Sequence, residues 1–301
     1  MTLAPLRRID HASGTESSSR FLIVNADDFG RSEAVNLGVG EGFRRGIITS
    51  TSVVAAGPAF ESAVAMLPTL KGLGMGVHLA VDEYQPILTA ADIPTLVNSE
   101  GQFRSRGRQF LNMASNPRTK GDLLREWDAQ ISRIRAAGIE LTHIDGHGHC
   151  HAHPAVTGII IQLAERHGIA HVRLPAEPFS MSRGRSLSRR FGEKVALQLA
   201  TQLARRKWKG RLFFPRSFYG FSHGGHMTPA ILRRVTDFIQ PGISELMVHV
   251  GLSNDEAAGF RTGYDWVGDL NAVTSHTKSQ FEIEFGVRLV THTQRRPDGV
   301  G

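Results

Sequence analysis

Residues 141–154 read LTHIDGHGHCHAHP and hold five of the chain's fourteen histidines, at His143, His147, His149, His151 and His153, with Asp145 between the first two. All six positions are odd, so an extended backbone would turn these side chains to one face. Neutral imidazole binds borderline metals such as Zn, and a carboxylate beside it widens the range toward Mg or Mn. A catalytic metal site uses about three protein ligands and an open position. The tract therefore has more donors than one ion needs, and its partners must come from elsewhere. The plainer alternative is a solvated His-rich stretch with incidental metal affinity.

Other candidate chemistry sits at the ends of apolar runs. Phe21 to Val24 (FLIV) reads as a buried parallel strand and leads into Asn25-Ala26-Asp27-Asp28-Phe29-Gly30. An aspartate turn or cap accounts for one carboxylate, but two at the end of a buried strand are costly unless paired or metal-bound. LGMGVHL ends on His78, Ala170 to Leu174 carries Arg173, and SELMVHV ends on His249.

The elements that must position these groups alternate. Ser32 can cap a helix from Glu33 to about Arg45, which Gly46 closes. Strands are expected at 47–56, 73–79, 141–147, 170–174, 244–250 and 287–291. Helices are expected at 58–67, 119–138, 154–167, 184–210, 228–239 and 268–285, and a long loop at 82–118. Strand and helix alternating at least six times means an α/β fold with a mostly parallel sheet. Asp27, Asp28, His78, His147, Arg173 and His249 all fall at C-terminal strand ends, the rim on which (β/α) barrels build active sites.

Length and composition allow this. The chain has 301 residues, 41% of them hydrophobic, and one barrel domain over 20–292 is expected, with polar tails at 1–19 and 293–301. The N-terminal tail is Ser-rich, lacks the apolar centre of a signal peptide and is expected to be disordered. No run of about 18 apolar residues marks a membrane span. The single cysteine, Cys150, excludes an intramolecular disulfide and fits a cytoplasmic protein.

The net charge of +7 is uneven: residues 183–211 hold ten Lys/Arg and one acid, Glu193, leaving −2 for the rest. This basic helical insert includes Arg205, Arg206, Lys207, Trp208 and Lys209, with Phe213 and Phe214 just beyond. A solvated surface helix is one reading. The other is a basic amphipathic element facing an anionic membrane surface from the cytoplasmic side. Nucleic-acid binding is not expected, since basic and aromatic residues are confined to this one element.

Several stretches together resemble the YdjC-like carbohydrate deacetylases, and their hopanoid-biosynthesis branch in particular. They are IVNADDFG (23–30), GIITSTS (46–52), GVHL (76–79), THIDGHGHCHAHP (142–154), RLPAEP (173–178) and ELMVHVG (245–251). The resemblance covers about residues 20–292 and implies a distorted (β/α) barrel. It also implies that one divalent metal ion, Mg or Zn, is held by Asp28, His78 and His147 to remove acetyl groups from N-acetylated sugars. Two departures stand out: Gly148 and Cys150 space the histidines, and Val250 follows His249 where the family often has Pro.

On that reading Asp27 is the general base, His249 the general acid, and Arg173 the residue that holds Asp27 ionised or meets substrate. Asp145 orients a histidine; His149, His151 and Glu177 support the site or touch substrate. The expected substrate is N-acetylglucosaminyl on a hopanoid lipid. Alternatives are soluble chitooligosaccharides, a phosphoester cleaved with a second metal on the surplus histidines, and a non-catalytic membrane-binding barrel. The last has no need for Asp27 beside Asp28.

Overall fold

A computed structural model describes residues 19–182, 189–255 and 263–293. Most of both expected tails and residues 183–188 of the basic insert lie outside the described residues. Eight parallel strands are described: β1 Arg20–Phe29, β2 Ser50–Val53, β3 Gly74–Leu79, β4 His143–Gly146, β5 His171–Val172, β6 Ser217–Tyr219, β7 Gly242–Val248 and β8 Arg288–Leu289. Their order is β5–β4–β3–β2–β1–β7–β6, with β8 bonded to the start of β1 at Phe21 and Leu22. This is the cyclic order of a (β/α) barrel. Among the described residues the ring is completed only by a parallel bridge between His171 and Phe213. The expected distorted barrel is the fold found.

Helices cover the outside: α1 Glu33–Arg45, α2 Phe60–Ala65, α3 Arg106–Ser115, α4 Pro117–Ala136, α5 Thr157–His167, α6 Arg189–Trp208, α7 Pro229–Phe238, α8 Trp266–Val273 and α9 Lys278–Phe285. Ser32 caps α1, its side chain accepting from the Val35 N–H. β1 shows how the sheet divides its side chains. Leu22, Val24 and Ala26 join the main core under the helices, while Phe21 and Ile23 pack with Val290 in a separate small cluster. Period-two alternation then carries Asn25 and Asp27 along the second face, where both bond to buried polar groups.

Three expectations need correcting. The loop over 82–118 contains α3 at Arg106–Ser115. The single helix over 268–285 is two, because Thr277 begins a new one with a capping box to Gln280. The short strand Ser217–Tyr219, absent from the sequence reading, borders β7.

Candidate metal centre and active site

β1 does not end as a regular strand. Ala26 faces Thr51 and Phe29 faces Val53, so β1 has one residue more than β2 over this stretch. Such a bulge redirects side chains, and here Asp28 takes a left-handed backbone, φ 69°. Both carboxylates are buried, with different partners. Asp27 receives Arg173 Nη1 and Nη2 at 2.7 and 2.6 Å. Asp28 Oδ1 meets His147 Nδ1 at 3.2 Å, Tyr84 Oη at 3.3 Å and His78 Nε2 at 3.5 Å.

The ligand atoms of Asp28, His78 and His147 all lie within 4.8 Å of one another, and all three residues are buried. Behind His78, Nδ1 donates to Asp145 at 2.8 Å. Behind His147, Nε2 donates to Glu83 at 2.8 Å. A carboxylate behind each imidazole fixes the nitrogen left for a metal. Burial pushes His78 down, but Asp145, Asp27 and Asp28 outweigh it and hold the imidazole above its ordinary value. The donors and this local demand for positive charge fit a divalent cation. A second grouping, Asp27 with His78 and Asp145, is geometrically similar. Its two carboxylates already share the Arg173 cation, which makes the first grouping the better cation site.

Arg173 is fully buried among three acids: Asp27, Asp145 at 2.8 Å and Glu245 at 2.7 Å. Burial pushes the Asp27 carboxyl up, but Arg173 outweighs it and holds the group well below the usual carboxylate range. Asp145 is lowered in the same way, against burial, by Arg173 and His78. The Ser52 hydroxyl also donates to Asp145, at 2.5 Å.

A cavity of about 500 Å³ opens over these groups, with Asp27, His78, His149, His249 and Tyr264 in its wall. His249 follows β7. Its backbone N–H donates to Asp269 at 3.0 Å and its ring lies edge-on to Tyr264 at 5.1 Å. Ala196, Leu197 and Ala200 of α6 form another side of the cavity. The basic helix is therefore part of the site.

The histidine tract does not share one face. β4 stops at Gly146, and Gly148 and His149 take left-handed backbones inside a 3-10 turn from His147 to Ala152. The period-two reading fails there because the chain is no longer extended. His143 stacks on His292 at 3.5 Å. His149 lies in the cavity wall, where burial and nearby Arg173 push its imidazole well below its ordinary value. His151 donates from Nε2 to the Arg173 carbonyl at 3.0 Å, and burial pushes it down to about 4. His153 stacks on Phe110.

Glu177 lies away from the cavity wall. It accepts from Lys194 at 2.8 Å, from the Gly220 N–H at 3.0 Å and from Ser222, so it ties α6 to the loop that carries Phe221. Trp208 is not surface-facing: it is fully buried, donates to the Thr157 carbonyl at 3.1 Å and stacks beside His151. Arg205 is half-buried over the Phe214 ring, while Arg206, Lys207 and Lys209 are exposed. Glu83, Tyr84, Arg106 and Glu245 were missed as site residues. Only Glu245 carried a usable signal, an acid inside an apolar strand run.

Residues 21–281 match the YdjC-like protein family. A carbohydrate deacetylase of Geobacillus stearothermophilus is 40% identical over 276 residues, covering 91% of this chain and 98% of that protein. A chitooligosaccharide deacetylase of Enterobacter sp. (strain 638) is 39% identical over 153 residues, covering 50% of this chain and 58% of that protein. A carbohydrate deacetylase of Brevibacillus brevis is 44% identical, and the chain spans 59% of its length. Among solved structures, one from Enterococcus faecalis V583 described as a cellobiose-phosphate cleavage protein superposes with TM-score 0.69 at 24% identity. That match covers 91% of this chain and 98% of that one, and it supports the fold. With a family match over most of its length and a relative aligned nearly end to end, the chain belongs to the YdjC-like family.

Proposed function

We propose that the chain is a metal-dependent hydrolase that removes the acetyl group from an N-acetylated sugar. The observation that carries this is that two adjacent carboxylates have different partners: Asp28 is grouped with His78 and His147, while Asp27, which lines the cavity with His78, is held by Arg173. A divalent ion on the first three residues would polarise the acetyl carbonyl and acidify a water. Asp27, kept ionised by Arg173, accepts the proton of the attacking water. His249 donates a proton to the amine nitrogen as the C–N bond breaks, leaving acetate and a free amino sugar. Proton transfers of this kind contribute about 10²–10⁴-fold.

The phosphoester alternative needs a second ion on the surplus histidines, and among the described residues neither three-donor grouping includes His149, His151 or His153. His151 is bonded to the Arg173 carbonyl and His153 stacks on Phe110. For the sugar itself, the Enterobacter relative's name supports a soluble chitooligosaccharide. The outer face of α6 supports the finer reading, a hopanoid-linked N-acetylglucosamine reached at the cytoplasmic membrane surface. On that face Leu199 and Leu203 are 59% and 46% exposed beside Arg206 and Lys207, a pattern suited to an anionic interface. No helix among the described residues is long and apolar enough to cross a membrane, so any membrane contact through them is peripheral.

The test is acetate release by metal-loaded protein from chitooligosaccharides and from N-acetylglucosaminyl lipid in vesicles. Release from either supports deacetylation, and the faster substrate selects the finer reading. Metal-loaded protein that releases acetate from neither overturns the proposal.

A further inference from the structure

Glu83 lies outside the strand ends and the histidine tract, in the loop that leaves β3. Its backbone is left-handed, φ 61°, a conformation uncommon for a residue with a long side chain. Strain of this kind persists only where the surroundings enforce it. Here both sides of the loop are held. Arg106 grips Asp82 through Nε and Nη2 at 3.0 and 2.9 Å, and Glu126 of α4 accepts the Ile87 and Leu88 N–H groups at 2.9 and 3.0 Å.

Two successive residues of the pinned loop address two metal-site residues. Glu83 Oε2 lies 2.8 Å from His147 Nε2, and the Tyr84 hydroxyl lies 3.3 Å from Asp28 Oδ1. The Tyr84 ring also stands edge-on to His147 at 5.4 Å. Both ring nitrogens of His147 thus face a carboxylate, Glu83 at Nε2 and Asp28 at Nδ1. To bind a cation held by Asp28, Nδ1 must offer its lone pair, which leaves the proton on Nε2, where Glu83 accepts it. His78 is set the opposite way, with Nδ1–H on Asp145 and Nε2 toward Asp28. The two imidazoles thus offer different nitrogens to one place, and each needs its own carboxylate to choose the nitrogen.

We infer that Glu83 is a positioning residue for the metal centre: through its contact with Nε2 it selects the His147 tautomer whose Nδ1 binds the ion. This rests on the proposed assignment of Asp28, His78 and His147 as ligands. Outer carboxylates of this type typically change metal affinity by about 10–100-fold.

The experiment titrates Zn²⁺ alone into the metal-free full chain against a competing chelator, for the parent, Glu83→Ala, Glu83→Gln and Glu83→Asn. Thermal unfolding of each metal-free protein is recorded in parallel. Ala is expected to weaken zinc binding about 10–100-fold, and Gln, whose amide oxygen still accepts from Nε2–H, to recover part of the loss. Asn tolerates the left-handed backbone but is too short to reach His147, so it should bind as weakly as Ala while its metal-free protein melts like the parent. Ala and Asn variants within twofold of the parent would overturn the inference. A parent that binds no zinc would overturn the ligand assignment, and the inference with it.

Discussion

Arg173 is the cation on which three buried acids depend. Asp27, Asp145 and Glu245 surround it at 2.6 to 2.8 Å, and Arg173→Met would leave them without that charge. Breaking a buried ion pair from one side costs about 3–5 kcal/mol, so this variant should unfold at markedly lower urea concentration than the parent. Asp27→Asn is a subtler change. It keeps the size of the side chain and leaves Asp28, His78 and His147 in place, so metal content should be retained while acetate release falls by about 10²–10⁴-fold. Loss of metal along with activity would make Asp27 a ligand instead. Asp27 and Asp145 also bear on acid stability. Both carboxyls are depressed in the folded protein, so their stabilisation is present above the ordinary carboxylate value of 3.8 and is lost as pH falls below it. Asp269 has the opposite sign: burial pushes it up to about 7, against the N–H groups of His249 and Met227. Its contribution is full below 3.8 and is lost as pH rises through about 7. Unfolding free energies measured at intervals from pH 5 to 8 should therefore fall less steeply with pH, or rise more steeply, for Asp269→Asn than for the parent. Equal pH slopes would show that Asp269 does not titrate there.

At the scale of elements, the sequence marks where strands stop better than how they stop. Apolar runs followed by Asp27-Asp28, His78 and His249 locate the rim, because a buried parallel strand must be apolar and its end is where polar groups can emerge. The bulge in β1 leaves no such pattern, yet it lies where Asp27 and Asp28 take different partners, Arg173 and His147. The histidine tract misleads for the same reason: alternation is informative only while the backbone is extended, and β4 ends at Gly146. Glu83 was not legible at all, since a residue in a long aperiodic loop carries no sign of a partner 64 positions away. Gly76, by contrast, has a local cause that can be tested. A Cβ there would overlap the His143 ring, and that ring cannot move aside, because it is stacked on His292 at 3.5 Å and bonded to Thr142 at 2.9 Å. Gly76→Ala should destabilise the protein by about 1–3 kcal/mol, the usual cost of overpacking. A melting temperature equal to the parent's would mean that the His143–His292 stack can yield.

Over the whole molecule, α6 is where the charge and the cavity meet. The segment 183–211 carries the excess positive charge, since the rest of the chain sums to −2. Its inward side is committed to the protein: Lys194 is buried on Glu177, Ala196, Leu197 and Ala200 line the cavity, and Ala204 and Trp208 join the core. Its outward side holds Leu199 and Leu203, one helical turn apart, with Arg206, Lys207 and Lys209 beyond them. A membrane met through this face would lie against the helix that lines the cavity, whose wall also holds Asp27 and His249. Each cation near an anionic bilayer contributes about 1 kcal/mol. Reversing Arg206, Lys207 and Lys209 to Glu should thus weaken binding to vesicles rich in phosphatidylglycerol at least about 100-fold. Turnover of an N-acetylglucosaminyl lipid should slow with it. Turnover of a soluble chitooligosaccharide should stay at the parent's rate, because none of the three residues lines the cavity. Parent-like vesicle binding by the variant would assign the cations to simple solvation and leave the soluble sugar as the preferred substrate.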